Sequence, residues 1–204
     1  MLKDIFLKQS GILLKLLFVC SLTWAPASVN SQAIITTLGS PFPLLNGSDL
    51  SSWAPNGNAS WQVNNREIDV TQGHGMLVTL LSVPDIQVEF DYWVSSDAKV
   101  SVFFRCMNTD VINAETAYEV SLVNRAGGLG AGTIRMLNKV KPTQVANQWN
   151  HMKISVIGSQ LAITLNGITS QVTDTRFNAG PLALNYQGGD FRVKNIYITI
   201  PGRW

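Results

Sequence analysis

The chain has 204 residues, a formal net charge of +2, 46% hydrophobic residues and 14% charged residues. This length favours a single domain with a sizeable core. The composition excludes an intrinsically disordered chain, which combines low hydrophobicity with high charge, and the lack of a G-X-Y period excludes collagen. The 16 Gly and 8 Pro, together with many Val, Ile and Thr, indicate an all-β domain rich in turns.

Residues 1–27 are predicted to be a secretory signal peptide. Three lysines precede an apolar run at residues 16–22, which ends at the small-residue pattern Ala25-Pro26-Ala27. The run is shorter than the roughly 20 apolar residues that a membrane-spanning helix needs. We therefore expect export to a bacterial periplasm or surface, with no membrane span after cleavage. A short N-terminal anchor helix is the alternative.

The predicted mature domain is nearly neutral. Three of the 15 basic residues and one of the 13 acidic residues lie within residues 1–27, so 12 of each remain. A neutral domain without a Lys/Arg cluster is a poor candidate for nucleic-acid binding, where phosphate neutralisation dominates affinity. Only Cys106 follows the signal peptide, so no intrachain disulfide is possible, and we expect it to be a core thiol.

Alternation with period two recurs after residue 60 and predicts β-strands. In the clearest case, Ile86, Val88 and Phe90 point to one side of a strand and Gln87 and Glu89 to the other. Further strands are predicted at residues 61–63, 67–70, 77–81, 100–105, 118–123, 133–137, 152–157, 161–165, 168–172, 182–186 and 193–200. No segment carries a long apolar stripe with helical period.

Turn residues separate these strands. Asn166-Gly167 between two alternating segments is a strong hairpin signal, and Asn64-Asn65 indicates a second turn. About a dozen short strands in one domain predict a two-sheet antiparallel sandwich or jelly roll over residues 42–200, preceded by an extended lead-in at residues 28–41.

An ordered set of short motifs over most of this domain resembles the 3-keto-disaccharide hydrolase family, whose fold is a concanavalin A-like, laminin-G-like jelly roll. The motifs are LNGSDLSSW at residues 45–53, WQV at 61–63, GML at 75–77, VFFR at 102–105, YEV at 118–120, WN at 149–150, LNG at 165–167, and GPLAL with FRVKNI at 180–184 and 191–196.

The resemblance implies a site on a concave sheet face that acts on 3-keto-glycosides. The 3-keto group acidifies the C2 proton, so that a base can remove it, the glycosidic oxygen can leave and water can add. Glu119 is the expected base and Arg105 the expected substrate clamp, with both side chains on the concave face and close enough to share one ligand. A salt bridge between neighbouring strands is the structural alternative for this pair.

Several polar positions differ from the family pattern, and they are expected to contact the substrate: Lys99, Ser121, Asn124, Asn185 and Gln187. Asn124 replaces an expected Asp, Ser121 an expected Gln, and Gln187 an expected His. These replacements support an alternative function, a non-catalytic carbohydrate-binding or adhesion domain. A purely structural envelope protein is a third possibility.

No cofactor or transition-metal site is predicted, because His74 and His151 are far apart in sequence and there is no Cys pair. A Ca²⁺ ion at a loop carrying Asp85, Asp110 or Asp190 is conceivable in this fold, but no ligand spacing requires it. Trp93 is expected on the outward side of its strand, where it either stacks on a sugar or packs under a loop.

Overall fold

A computed structural model describes residues 39–45, 47 and 49–202 of the chain. The predicted signal peptide, residues 1–27, and residues 28–38 of the predicted lead-in lie outside this part. No helix among the described residues is long and apolar enough to cross a lipid bilayer.

Thirteen strands occur in the described part of the chain. They are β1 (Phe42–Pro43), β2 (Trp53–Gly57), β3 (Gln62–Asn64), β4 (Glu67–Val70), β5 (Gly75–Thr79), β6 (Ile86–Val94), β7 (Val100–Phe104), β8 (Tyr118–Ser121), β9 (Trp149–Ile157), β10 (Gln160–Leu165), β11 (Ile168–Thr173), β12 (Ala183–Tyr186) and β13 (Phe191–Thr199).

The strands form two antiparallel sheets. The eight-stranded sheet has the order β11-β10-β9-β6-β13-β4-β3, with β1 paired to β13, and the five-stranded sheet has the order β2-β5-β12-β7-β8. Apolar side chains of both sheets pack between them, among them Val88, Phe90, Val102 and Val120. The predicted all-β, two-sheet jelly-roll sandwich is therefore confirmed.

Local sequence specifies two of the hairpins. Asn166 and Gly167 have φ values of 48° and 84° and join β10 to β11, with Leu165 opposite Ile168. Two consecutive residues at positive φ make a type I′ turn, whose twist matches that of the flanking strands. Asn65 and Arg66, at 52° and 64°, do the same between β3 and β4.

One predicted strand, residues 133–137, is wrong. The segment is a turn that pairs with β8 through an isolated bridge between Ile134 and Val120 rather than as a strand. Met136 has a φ of 66°, which interrupts any extended conformation.

Two strands that the sequence did not reveal are β1 and β2. Each contains a proline, Pro43 or Pro55, which argues against a strand in sequence-based prediction because proline is confined to edge positions in sheets. β2 does pair with only one strand, β5.

Alternation along the five-stranded sheet positions the candidate site. Tyr118, Val120 and Leu122 enter the core between the sheets, so Glu119 and Ser121 face outward. The register places Glu119 opposite Phe103, and Ser121 opposite Ser101. The outer face of this sheet therefore carries a polar row next to a small apolar cluster that includes Phe103, Val78 and Ala183.

Candidate functional site

Glu119 is a charged side chain held on the outer face of the five-stranded sheet with 5% exposure. Its Oε1 accepts a hydrogen bond from Arg125 Nη2, and its Oε2 accepts one from Arg135 Nη1 at 3.4 Å. A buried carboxylate is costly unless it is paired, and the two guanidinium groups provide that pairing. Their side chains stay 33% and 55% exposed, so both arginines also reach solvent.

A row of amides and hydroxyls lies beside this carboxylate. Asn185 Nδ2 donates to Ser101 Oγ at 3.0 Å, and Gln187 Nε2 donates to Asn185 Oδ1 at 2.9 Å. At the far end, Arg125 Nε donates to Ser121 Oγ at 3.0 Å. Such neutral donors and acceptors on a sheet surface are the groups that hydrogen-bond sugar hydroxyls.

The segment after β8 brings the two arginines to Glu119. The bridge between Val120 and Ile134 returns the chain to β8, where Arg135 N donates to the carbonyl of Glu119 at 2.9 Å. Arg125 lies six residues after Glu119 and is fixed by the Ser121 hydroxyl and the Glu119 carboxylate together. The two arginines that pair with Glu119 thus come from the beginning and the end of the loop at residues 125–135.

Three cavities lie at or near this carboxylate, and Glu119 itself lines two of them. The loop cavity, of about 430 Å³, is lined by Glu119, Arg125, Arg135 and Lys139. The sheet cavity, also about 430 Å³, is lined by Glu119, Arg135, Asn185 and Gln187. The turn cavity, about 390 Å³, is lined by Lys99, Asn124, Arg125 and Gln187. Neighbouring cavities share lining residues, and we refer to the three together as the candidate cleft.

All the expected substrate-contacting residues line this cleft. Lys99 and Gln187 are exposed, and Ser121 and Asn185 lie in the polar row described above. Asn124 has a second task, because its Nδ2 donates to the Thr143 carbonyl at 2.8 Å and its Oδ1 accepts from Ala131 N at 3.1 Å. That amide holds the loop as well as bordering the turn cavity.

Arg105 does not join Glu119, which corrects the expected shared-ligand pair. Arg105 is 3% exposed and donates to the carbonyls of Pro84, Phe177 and Gly158 at 2.7, 3.0 and 2.7 Å and to Asp85 Oδ1 at 3.2 Å. Glu119 pairs instead with Arg125 and Arg135.

Backbone geometry explains the misplacement of Arg105. Simple alternation predicted it on the same side as Phe103, but it follows the last residue of β7 with a φ of 51°, and this turns the side chain away. The guanidinium instead ties the end of β7 to the β9–β10 turn and to the segment before β6. Arg105 is therefore a structural residue in this fold.

The two arginines that do reach Glu119 were missed from the sequence. Arg125 precedes a Gly-rich connection, and Arg135 lies in the segment that was predicted to be a strand. The isolated bridge that unites them with β8 leaves no periodic signal. A cation in the loop directly after a strand that bears a carboxylate is the one available clue.

Neither histidine lines the three cavities. His151 Nδ1 lies 2.9 Å from Asp91 Oδ1, on the outer face of the eight-stranded sheet. No group of three His, Cys, Asp or Glu side chains that could hold a metal ion occurs within the described ranges. Cys106 is a buried thiol, as expected, and burial raises its pKa to about 12, so it stays protonated.

Trp93 lies on the outer face of the eight-stranded sheet, away from the cleft. The guanidinium of Arg192 covers its ring at 4.4 Å, and Lys194 Nζ lies 3.8 Å from the ring centre of neighbouring Trp149. Each cation–π contact covers one face of its ring. The alternative in which Trp93 packs against protein groups fits better, with side chains rather than a loop as the cover.

The family model described as a 3-keto-alpha-glucoside-1,2-lyase-like domain matches residues 41–199. No curated protein sequence matches the chain significantly.

Solved structures share the fold at low identity. A proposed glycosyl hydrolase from Parabacteroides distasonis is 14% identical with a TM-score of 0.69, over 79% of this chain and 94% of that one. A Bacillus subtilis protein with a galectin-like fold is 11% identical with a TM-score of 0.61, over 81% and 96%. A carbohydrate-binding module from the same organism is 18% identical with a TM-score of 0.57, over 76% and 97%. At these identities the likeness establishes the fold alone.

Proposed function

Because the chain belongs to the family of 3-keto-α-glucoside-1,2-lyase-like domains, we propose that it cleaves the glycosidic bond of 3-keto-glycosides. The cleft around Glu119 is the proposed site. The observation that carries the proposal is the position of this carboxylate, 5% exposed and yet lining two of the three cavities. A carboxylate held at the floor of a polar cleft is suited to act as a general base.

In the proposed reaction, a Glu119 oxygen removes the C2 proton of the bound sugar. The electron pair of the C2–H bond forms an enolate whose negative charge lies on the 3-keto oxygen. As the enolate collapses, the bond between C1 and the glycosidic oxygen breaks, and the leaving oxygen takes the proton that Glu119 removed from C2, which regenerates the carboxylate. Water then adds across the new double bond, which gives the free 3-keto sugar.

The two arginines have a specific place in this scheme. Each guanidinium binds one oxygen of Glu119 in the free protein, and each keeps donors exposed to the cleft. A guanidinium that moves from Glu119 to the developing enolate oxygen would free the base and stabilise the charge in one shift. The amides of Asn185 and Gln187 would hold sugar hydroxyls.

The test is turnover of 4-nitrophenyl 3-keto-glucoside by the purified protein, followed as nitrophenolate release. We expect release from the 3-keto compound and none from the parent 4-nitrophenyl glucoside, because only the ketone acidifies the C2 proton. Equal rates on both compounds would contradict the elimination chemistry.

A non-catalytic carbohydrate-binding domain is the second candidate function. The observation in its favour is that both oxygens of Glu119 are already occupied by guanidinium groups. In that case the protein would bind the 3-keto-glucoside in titration calorimetry without releasing nitrophenolate.

We also propose that the protein is exported through the signal peptide at residues 1–27. The three lysines, the short apolar run and Ala25-Pro26-Ala27 support this proposal. Mass spectrometry of the mature protein is expected to find a first residue between about 26 and 34. Cytosolic protein with an intact Met1 would contradict it.

A further inference from the structure

The loop cavity has an excess of positive charge. Arg125, Arg135 and Lys139 line it together with a single carboxylate, Glu119. The excess is local, because the predicted mature chain as a whole carries equal numbers of basic and acidic residues. Three cationic side chains and one carboxylate give the pocket a net charge of about +2, which attracts a negatively charged ligand.

The cations retain free donors. Arg125 uses Nε for Ser121 and Nη2 for Glu119, which leaves Nη1. Toward the described residues, Arg135 uses Nη1 alone, for Glu119, which leaves Nε and Nη2. The exposed Lys139 side chain makes no ion pair with a described residue. Planar guanidinium forks and an ammonium group are suited to carboxylate and sulfate oxygens.

The wall that carries these cations is fixed by hydrogen bonds. Asn138 Oδ1 accepts from Ile134 N, and Asn138 Nδ2 donates to Ser170 Oγ on β11, each at 2.7 Å. Met136, which lies between Ile134 and Asn138 in sequence, has a φ of 66° and is 75% exposed. A non-glycine residue at positive φ is costly and persists where its surroundings determine it. The turn therefore presents an apolar side chain beside Arg135 at the rim of a charged cavity.

From these observations we propose that the loop cavity binds an acidic saccharide, one that bears a carboxylate or a sulfate ester. The acidic group contacts Arg125, Arg135 and Lys139, and Met136 packs on the apolar face of the sugar ring. This inference rests on the proposed function in one respect, because it assigns the substrate class of the same cleft.

Titration calorimetry at low salt tests the inference with three probes: methyl glucuronide, glucose 6-sulfate and neutral methyl glucoside. We expect at least one acidic probe to bind about tenfold more tightly than methyl glucoside, and its affinity to fall as sodium chloride is added. The two acidic probes distinguish a carboxylate from a sulfate ligand. Equal affinities for all three probes, or no binding of any of them, would overturn the inference.

Variants locate the binding to this cavity. Lys139→Gln removes a charge that has no ion-pair partner among the described residues. We therefore expect it to weaken binding of the acidic probe about fivefold without affecting folding. Arg135→Gln is expected to weaken binding of the acidic probe at least as much. Lys153→Gln is the matched control, since Lys153 pairs with Glu89 on the other sheet at 2.6 Å. Equal losses in Lys139→Gln and Lys153→Gln would count against the cavity.

Failure of this inference is distinguishable from failure of the proposed function. Turnover of the neutral 3-keto-glucoside without preference for acidic probes would contradict the acidic-saccharide inference and support the proposed cleavage reaction. Tight binding of methyl glucuronide that depends on Lys139, without turnover of the 3-keto-glucoside, would confirm the ligand class and contradict the proposed catalysis.

Discussion

Replacement of Glu119 by glutamine is expected to lower turnover of 4-nitrophenyl 3-keto-glucoside by about 10²- to 10⁴-fold, the usual contribution of a general base. Glutamine has nearly the same volume but cannot accept the C2 proton. The variant is expected to fold, because the arginines that lose their partner, Arg125 and Arg135, are 33% and 55% exposed and remain solvated. The measurement is the initial rate of nitrophenolate release.

The matched control is Glu89→Gln, which removes a carboxylate from the outer face of the other sheet. Glu89 is 42% exposed and pairs with Lys153, so its loss should leave the rate unchanged. If Glu119→Gln keeps the wild-type rate while circular dichroism shows an unaltered sheet spectrum, the base lies elsewhere and the proposed chemistry at this cleft is wrong.

Replacement of Arg105 by glutamine is expected to destabilise the protein by about 3–5 kcal/mol, as for other broken buried ion pairs. Glutamine cannot serve the three carbonyls and the carboxylate that Arg105 joins. The side chain is only 3% exposed, so water does not compensate for the missing hydrogen bonds. Urea unfolding followed by tryptophan fluorescence measures the loss.

Arg66→Gln is the matched control, because Arg66 also has a positive φ, 64°, but is exposed and makes no ion pair with a described residue. It should change stability by less than about 0.5 kcal/mol. If Arg105→Gln were as stable as Arg66→Gln but had lost sugar binding, Arg105 would be the substrate clamp that the sequence predicted.

The sheet architecture was accessible from the sequence because its signals are local. Alternation in β6 and the Asn166-Gly167 turn depend on neighbouring residues, and the structure confirms both. Family motifs located Glu119 and the polar row at Asn185 and Gln187, which line the cleft.

The position of Arg105 and the partners of Glu119 could not be predicted in the same way. The positive φ of Arg105 reverses the side that alternation assigns to it, and no sequence pattern marks that change. Arg135 reaches Glu119 through one isolated bridge between residues 120 and 134. Both errors arise where the chain leaves regular strands, because there the side-chain direction depends on tertiary contacts rather than on period.

We propose that the cleft around Glu119, on the outer face of the five-stranded sheet, is the saccharide site. Its most direct test is backbone amide NMR of residues 28–204 titrated with 3-keto-glucoside, using the Glu119→Gln variant so that the ligand is not consumed. We expect the largest chemical-shift changes at Ser121, Arg125, Arg135, Asn185 and Gln187. Shifts concentrated instead around Trp93 and Trp149, on the outer face of the eight-stranded sheet, would contradict it.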